Sequence, residues 1–161
     1  SQNRIMSMSL VHEKLYRSRD MGKIDTKEYI TDLTNNIFQS YGINSGKIAL
    51  NISIGNVSLG VDSAIPCGLI INELITNSLK YAFPDGGDGE ISVALNPLNE
   101  NEVELVVSDN GVGIPEDLDF RKTGSMGLRL VTILTENQLH GTIDMDRSRG
   151  TEFRIIFGGM K

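Results

Sequence analysis

The sequence predicts an α+β protein, a two-layer sandwich in which helices cover one face of a mixed, mostly antiparallel sheet. Two periodicities indicate this fold class. In some segments apolar residues recur every three or four positions, as on amphipathic helices, and in others at every second position, as on half-buried strands. Short polar segments join successive strands, so hairpins dominate, and a further helix precedes the sheet at the N-terminus.

The composition limits the classes of function. The chain has 161 residues, of which 39% are hydrophobic and 22% are charged, and this fits one globular domain with its own core. The net charge of -6 and the pI near 4.9 argue against a nucleic-acid-binding surface, which needs clustered Lys and Arg. No apolar run is long enough to cross a bilayer, so we expect no direct membrane contact by this chain.

The single cysteine indicates the compartment. Cys67 cannot form an internal disulfide and lies in an apolar run, which favours a buried small hydrophobe in a reducing, cytoplasmic setting. The chain also starts at Ser1 in the middle of a helical pattern. We therefore expect a fragment of a longer protein, which could carry a membrane anchor elsewhere.

Four segments have the helical period. The first, Ser1 to Ser18, has a narrow apolar seam that is typical of a helix paired with another helix. The second ends at Gly42, and Thr26 is its predicted N-cap. The third runs roughly from Pro66 to Phe83, and the fourth includes "LRLVTILTEN".

The remaining apolar segments alternate with a period of two and predict strands joined as hairpins. The first hairpin turns at Gly55-Asn56 between "IALNISI" and "VSLGV". The second joins "EISVALN" to "VELVVSD" across "PLNENE". The last joins "GTIDMDR" to "TEFRIIF" and turns at Ser148 to Gly150.

The third helix carries a polar line on the side away from its apolar residues. Glu73, Asn77 and Lys80 are spaced by four and three, so an α-helix would stack them on one face. A carboxylate can accept a proton, an amide oxygen can bind Mg²⁺, and an ammonium can bind phosphate. Together they suit a magnesium nucleotide, although a solvated helix face explains the line more simply when it is taken alone.

Two glycine-rich segments follow. Asp109 ends an apolar strand and is followed by Gly111 and Gly113, where backbone can approach a flat ligand and the carboxylate can accept from an exocyclic amine. Gly124 and Gly127 stand immediately before a helix, where free N–H groups can bind phosphate. Ordinary turns also explain each glycine pair by itself.

The order of these motifs resembles the ATP-binding domain of sensor histidine kinases, within the superfamily that includes DNA gyrase, the ninety-kilodalton heat-shock chaperone and MutL. The motifs are "NELITNSLKY", "DNGVG", "GSMG" and "RGTEF", and the resemblance spans Ile48 to Phe157. The subgroup is the one whose helix motif carries Glu. The resemblance implies an ATP-binding catalytic domain at residues 23–161, preceded at residues 1–22 by the end of a dimerisation and phosphotransfer hairpin.

The same resemblance implies roles for individual residues. Asn77 would bind Mg²⁺, Lys80 would contact a phosphate, and Tyr81 would lie against the nucleoside. Asp109 would accept from the adenine amino group, with Thr151 assisting through water.

The glycine segments would form the walls of the site. Gly111, Gly113 and Ile114 would shape the adenine pocket, and Ile114 to Thr123 would be a lid that closes over ATP. The phosphates would be received by Gly124, Ser125, Met126, Gly127 and Leu128. Glu73 stands where the superfamily's ATP hydrolases have a catalytic base, so it is assigned as a candidate base or as a residue that orients a metal-bound water.

The phospho-acceptor histidine is the main departure from the family pattern. The His-Arg-x-x-Asn-Asn sequence expected around it is absent, so the acceptor is expected to lie outside this fragment. His12, followed by Glu13, is a weaker candidate because it lies on the apolar seam of its helix. His140 is interpreted as a histidine at a helix C-terminus.

The expected activity is transfer of the ATP γ-phosphate to a histidine and onward to the receiver domain of a response regulator, with a homodimer in the full-length protein. Two alternatives remain open. One is a Ser/Thr protein kinase of the anti-sigma type, or a related ATPase, which Glu73 makes more credible. The other is a non-enzymatic module in which ATP only gates partner binding.

Overall fold

The computed structural model describes residues 25–40, 48–83, 88–112 and 126–158, without the side chains of residues 126 and 127. The predicted N-terminal helix, His12 and the lid lie outside these residues. The elements in chain order are α1 Thr26–Ser40, β1 Ile48–Ile54, α2 Val61–Asn77, a π-helical turn Ser78–Ala82, β2 Gly89–Pro97, β3 Glu102–Asp109, α3 Met126–Ile133, a second π-helical turn Leu134–Gln138, β4 Thr142–Asp146 and β5 Thr151–Gly158.

The strands of the described residues form one five-stranded sheet in the order β1-β2-β3-β5-β4. The β1 and β2 strands are parallel, and the other neighbouring pairs are antiparallel. The predicted hairpins β2–β3 and β4–β5 are confirmed. The mixed, mostly antiparallel sheet is therefore as the sequence predicts.

The helices α1, α2 and α3 of the described residues cover the same face of the sheet. Along β2, β3 and β5 every second residue is buried, and these residues join the apolar faces of α1, α2 and α3 in one core. The opposite face carries most of the polar residues of the strands, and Arg154 there pairs with Glu104 at 3.6 Å. This confirms the two-layer α+β architecture. Among the described helices, none is long and apolar enough to span a membrane.

The first predicted hairpin is wrong. Gly55 N–H still donates to Leu95 O at 2.8 Å, but the chain then leaves the sheet. Val57 and Leu59 are buried, and Leu59 N–H donates to Thr26 Oγ1 of α1 at 3.2 Å. Their alternation reflects packing under α1. The polypeptide crosses over through α2, and β2 lies parallel to β1.

The predicted starts of α1 and α2 need correction. Asp25 is the N-cap of α1, since its Oδ1 accepts from Glu28 N–H at 3.1 Å, whereas the Thr26 hydroxyl is occupied by Leu59. The α2 helix begins at Val61, more than one turn before Pro66. Proline is commonest in the first turn of a helix, which favours a later start from sequence alone.

The α1 and α2 helices pack closely through one small residue. The Tyr29 hydroxyl lies against Gly68, where a Cβ would overlap it, and Tyr29 Oη donates to Ala64 O at 3.4 Å. Burial raises the pKa of the Tyr29 phenol far above its ordinary value, and the thiol of Cys67 adds to this rise. This contact fixes α1 to the helix that carries the polar line.

Candidate functional site

Asp109 is the last residue of β3, the middle strand of the sheet. It pairs with Ile91 of β2 on one side and with Thr151 of β5 on the other. Its side chain is only 7% exposed and points into the helix layer, as the alternation of β3 requires. The sheet therefore places a carboxylate at the end of its middle strand, against the π-helical turn that follows α2.

Two donors hold this carboxylate from different segments. Gly111 N–H donates to Asp109 Oδ1 at 3.0 Å, and the Ser78 hydroxyl donates to Asp109 Oδ2 at 2.7 Å. The second bond joins residues that are 31 positions apart and is buried. Hydrogen bonds to a charged acceptor are shorter and stronger than neutral ones, so both contacts fix the orientation of the carboxylate.

The loop after Asp109 is hydrogen-bonded to the π-helical turn on one side and to β2 on the other. Val112 N–H donates to Ala82 O at 2.9 Å, and a Cβ at Gly111 would overlap the same carbonyl. On the other side, Asn110 Oδ1 accepts from Glu90 N–H at 2.8 Å. Gly111 is thus required by the close approach of the loop to the π-helical turn that follows α2.

The turn between β4 and β5 also meets this loop. Gly150 has a φ of +75°, and a Cβ on it would overlap Asp109 O. The left-handed conformation and the lack of space both call for glycine. The turn leaves Thr151 buried directly beside Asp109, so the structure brings together these two predicted site residues.

Two members of the predicted polar line lie on α2, and the third lies in the π-helical turn that follows it. Glu73 is buried and Asn77 is half-buried, one turn apart on the same helix. From Ser78 to Ala82 the helix is π-helical, so Lys80 lies within this turn and not in α2. Lys80 is exposed, and the ring of Tyr81 is 68% exposed.

The remaining predicted residues are located in part. Gly113, Ile114, Gly124 and Ser125 lie outside the described residues. Met126 and Gly127 open α3, where backbone N–H groups have no partner within the helix. The side chain of Leu128 is buried in the core, so only its backbone could contact a ligand.

Asn77 and Glu73 offer the oxygen ligands that Mg²⁺ prefers, and Mg²⁺ commonly takes one or two protein ligands together with substrate phosphates. Asn77 Nδ2 is a buried polar atom that, within the described part of the chain, has no hydrogen-bond partner. Nδ2 is a hydrogen-bond donor and cannot bind a cation, so this unpaired group fits contact with an acceptor such as a phosphate oxygen. The fit to magnesium rests on the oxygens of Asn77 and Glu73.

Sequence reasoning missed Ser78. It lies among the apolar residues of the helix, on the side that faces the sheet, and only the fold brings it to Asp109. The available signal was a hydroxyl on an otherwise apolar helix face, since a buried hydroxyl needs a hydrogen-bond partner.

The fold is an α+β sandwich in which a carboxylate at a strand end meets a helix hydroxyl and two close-packed glycines, Gly111 and Gly150. Residues 62–158 match the family described as histidine kinase-, DNA gyrase B-, and HSP90-like ATPase. The chain belongs to this family. Residues 1–41 match a second model, described as histidine kinase.

Individual proteins that are similar to this chain are also histidine kinases. The chain is 30% identical over 156 residues, 94% of its length, to the sensor histidine kinase PdtaS of Mycobacterium tuberculosis, of which it covers 30%. It superposes with a TM-score of 0.87 on the histidine kinase domain of the Erythrobacter litoralis EL346 blue-light activated histidine kinase, at 25% identity, covering 98% of this chain and 73% of that one.

A serine-protein kinase is also similar. The chain is 27% identical over 109 residues to RsbW of Listeria innocua, covering 59% of this chain and 69% of RsbW. The chain spans between a quarter and a third of the length of the curated histidine kinases that it matches, 26% and 30% in two cases.

Proposed function

We propose that this chain is the ATP-binding catalytic part of a sensor histidine kinase. The whole protein would transfer the γ-phosphate of ATP to a histidine on a phospho-acceptor helix, and from there to an aspartate on the receiver domain of a response regulator. The observation that carries the proposal is the Asp109 carboxylate, which is held at the end of the middle strand by donors from the π-helical turn after α2 and from its own loop.

The described residues support separate roles for base binding and for phosphate binding in this site. The Asp109 carboxylate still has lone pairs for an exocyclic amine after accepting from Ser78 and Gly111. Thr151 lies beside it, and the exposed ring of Tyr81 is free to contact the nucleoside. These groups bind the base, and the phosphates then lie near Asn77, Lys80 and the start of α3.

Asn77 would hold Mg²⁺, which neutralises phosphate charge when bound. Lys80 is exposed and can reach a phosphate oxygen as a flexible point charge. Glu73 is one turn before Asn77, within reach of the same region, and we assign it as a base or as a residue that orients water. Gly113, Ile114 and the phosphate-binding residues Gly124 to Leu128 complete the proposed site.

We place the end of the phosphotransfer hairpin at residues 1–22 and the catalytic domain at residues 23–161. The position of α1 supports this boundary, because Tyr29 packs into α2 and its buried face belongs to the same core as the sheet. The full protein would act as a homodimer in the cytoplasm, where a neighbouring subunit or hairpin can present the acceptor histidine.

A serine kinase is the second candidate, and two observations favour it: the similarity to RsbW and the buried Glu73. The match of residues 1–41 to the histidine kinase model supports the first candidate instead. Labelled ATP and the full-length protein separate the two, since phosphohistidine is lost in acid and phosphoserine survives. Acid-stable label would overturn the histidine kinase proposal.

Nucleotide binding is tested by calorimetric titration of this chain with ATP and Mg²⁺. Asp109→Asn replaces one acceptor oxygen with a donor facing the base amine, so we expect at least a tenfold loss of affinity. Asp144→Asn is the matched control, because Asp144 is exposed on β4 and should leave binding unchanged. Equal ATP affinity in both variants would contradict the placement of the base.

A non-enzymatic, nucleotide-gated module is distinguished by Asn77→Asp. We expect this variant of the full-length protein to lose phosphotransfer. If partner binding and signalling persist unchanged, transfer is not what the protein does.

A further inference from the structure

Ser78 is a polar residue in an apolar setting. It is 9% exposed and opens the π-helical turn at the end of α2, which closes with the buried Ala82. Its hydroxyl donates to Asp109 Oδ2 at 2.7 Å, a short bond between buried side chains of two different elements. Neither the periodicity of the helix nor its polar line assigns any role to this residue.

The two oxygens of Asp109 are engaged from different directions. Oδ1 accepts from the backbone of Gly111, which follows in the same loop, and Oδ2 accepts from Ser78 on the opposite layer. One donor alone would let the carboxylate rotate about its Cβ–Cγ bond, because this terminal torsion is broad. Two donors from two layers set its plane.

The same helix turn holds the loop in position. Val112 N–H donates to Ala82 O at 2.9 Å, so the π-helical turn binds the loop at one end and the carboxylate at the other. π-helical segments often mark functional sites, and here the segment presents a hydroxyl and a carbonyl to the strand end. The orientation of Asp109 therefore depends on α2 as much as on β3.

We propose that Ser78 is the positioning residue for base recognition: its hydroxyl orients the Asp109 carboxylate so that the remaining lone pairs face the exocyclic amine of adenine. The inference rests on the proposed function, in which Asp109 contacts that amine. Ser78 does not itself need to touch the nucleotide. Its removal should weaken the contact with the amine and leave the rest of the nucleotide's contacts in place.

The test compares two nucleotides on the same protein. ATP carries the exocyclic amine, and purine ribonucleoside triphosphate has hydrogen in its place with the same ring, sugar and phosphates. Ser78→Ala removes the hydroxyl and retains Cβ. Because both nucleotides are titrated into the same variant, a general change in folding or in the phosphate region affects both affinities equally.

We expect Ser78→Ala to lower the ATP affinity about tenfold, the size expected for a hydrogen bond to a charged group. The affinity for purine ribonucleoside triphosphate should stay unchanged, so the preference for ATP falls about tenfold. Ser108→Ala is the matched control: Ser108 precedes Asp109, but its side chain points to the opposite face of the sheet, and the preference should not change.

The outcomes are distinguishable. An equal loss for both nucleotides, or no loss for ATP, overturns the role of Ser78 while the wild-type preference for ATP and the effect of Asp109→Asn still support the proposed function. Absence of ATP binding by the wild-type chain overturns both. Thermal unfolding of the ligand-free variants checks that Ser78→Ala and Ser108→Ala are folded at the temperature of the titrations.

Discussion

Replacing Gly111 with alanine tests how closely the Asp109 loop approaches α2. The added Cβ would overlap the backbone carbonyl of Ala82, which cannot move aside as a side-chain end would. Among the described glycines only Gly150 has positive φ, so alanine in place of Gly111 meets no conformational penalty and the effect comes from contact alone. The loop must shift outward and lengthen the 2.9 Å bond from Val112 to Ala82.

The expected cost follows from two contributions. Overpacking at a rigid site costs about 1–3 kcal/mol, and loss of the Val112 hydrogen bond costs about 1 kcal/mol. The free energy of unfolding should therefore fall by about 2–4 kcal/mol. Urea unfolding followed by circular dichroism measures this as a lower midpoint at unchanged slope.

A matched control is available in β5. A Cβ at Gly158 would lie 3.5 Å from Asn101 O, an ordinary van der Waals contact. Gly158→Ala should change stability by less than about 0.5 kcal/mol, as surface substitutions usually do. If Gly111→Ala is as mild as Gly158→Ala, the loop is not packed against α2 and the support of Asp109 has been misjudged.

Two further predictions concern the helix layer. Gly68→Ala would overlap the Tyr29 hydroxyl and should destabilise by about 1–3 kcal/mol; Tyr29→Phe frees that space, so the double variant should recover part of the loss in urea unfolding, and strict additivity would contradict the contact. Burial raises the pKa of the Cys67 thiol from 9.0 to about 12, so the unfolded chain ionises first. The neutral, buried thiol makes its full contribution to the free energy of unfolding below pH 9. This contribution is lost as the pH rises through about 12, at about 1.4 kcal/mol per pH unit. Between about pH 8 and about pH 11 the free energy of unfolding should therefore fall more steeply with pH in the native chain than in Cys67→Ala. Equal slopes for the two proteins would refute this.

Periodicity in the chain predicted the elements well and their partners less well. The β2–β3 and β4–β5 hairpins join neighbouring segments by short turns, so sequence alone located them. The pairing of β1 was wrong because Val57 and Leu59 alternate as a strand does, whereas they pack under α1. Apolar residues at every second position indicate alternate burial, but they do not identify the element that covers the buried side chains.

For the site, the order of motifs located Asp109, Gly111 and Thr151, and the structure brings these three together. The same reasoning treated the segment from Pro66 to Phe83 as one regular helix and did not predict the π-helical turn that contains Lys80. The π-helical turn depends on how the end of α2 meets the strand loop, and no local preference specified it.

The sequence by itself determined most of the described helices and strands, although not their exact starts and not the path of residues 57–61. It also determined which chemical groups stand at the strand ends, because these follow from residue spacing along a few turns or strand positions. The tertiary structure alone decided that β1 runs parallel to β2 and that Ser78 holds Asp109. Both depend on contacts between residues far apart in the chain, where the core selects one arrangement among several that local patterns allow.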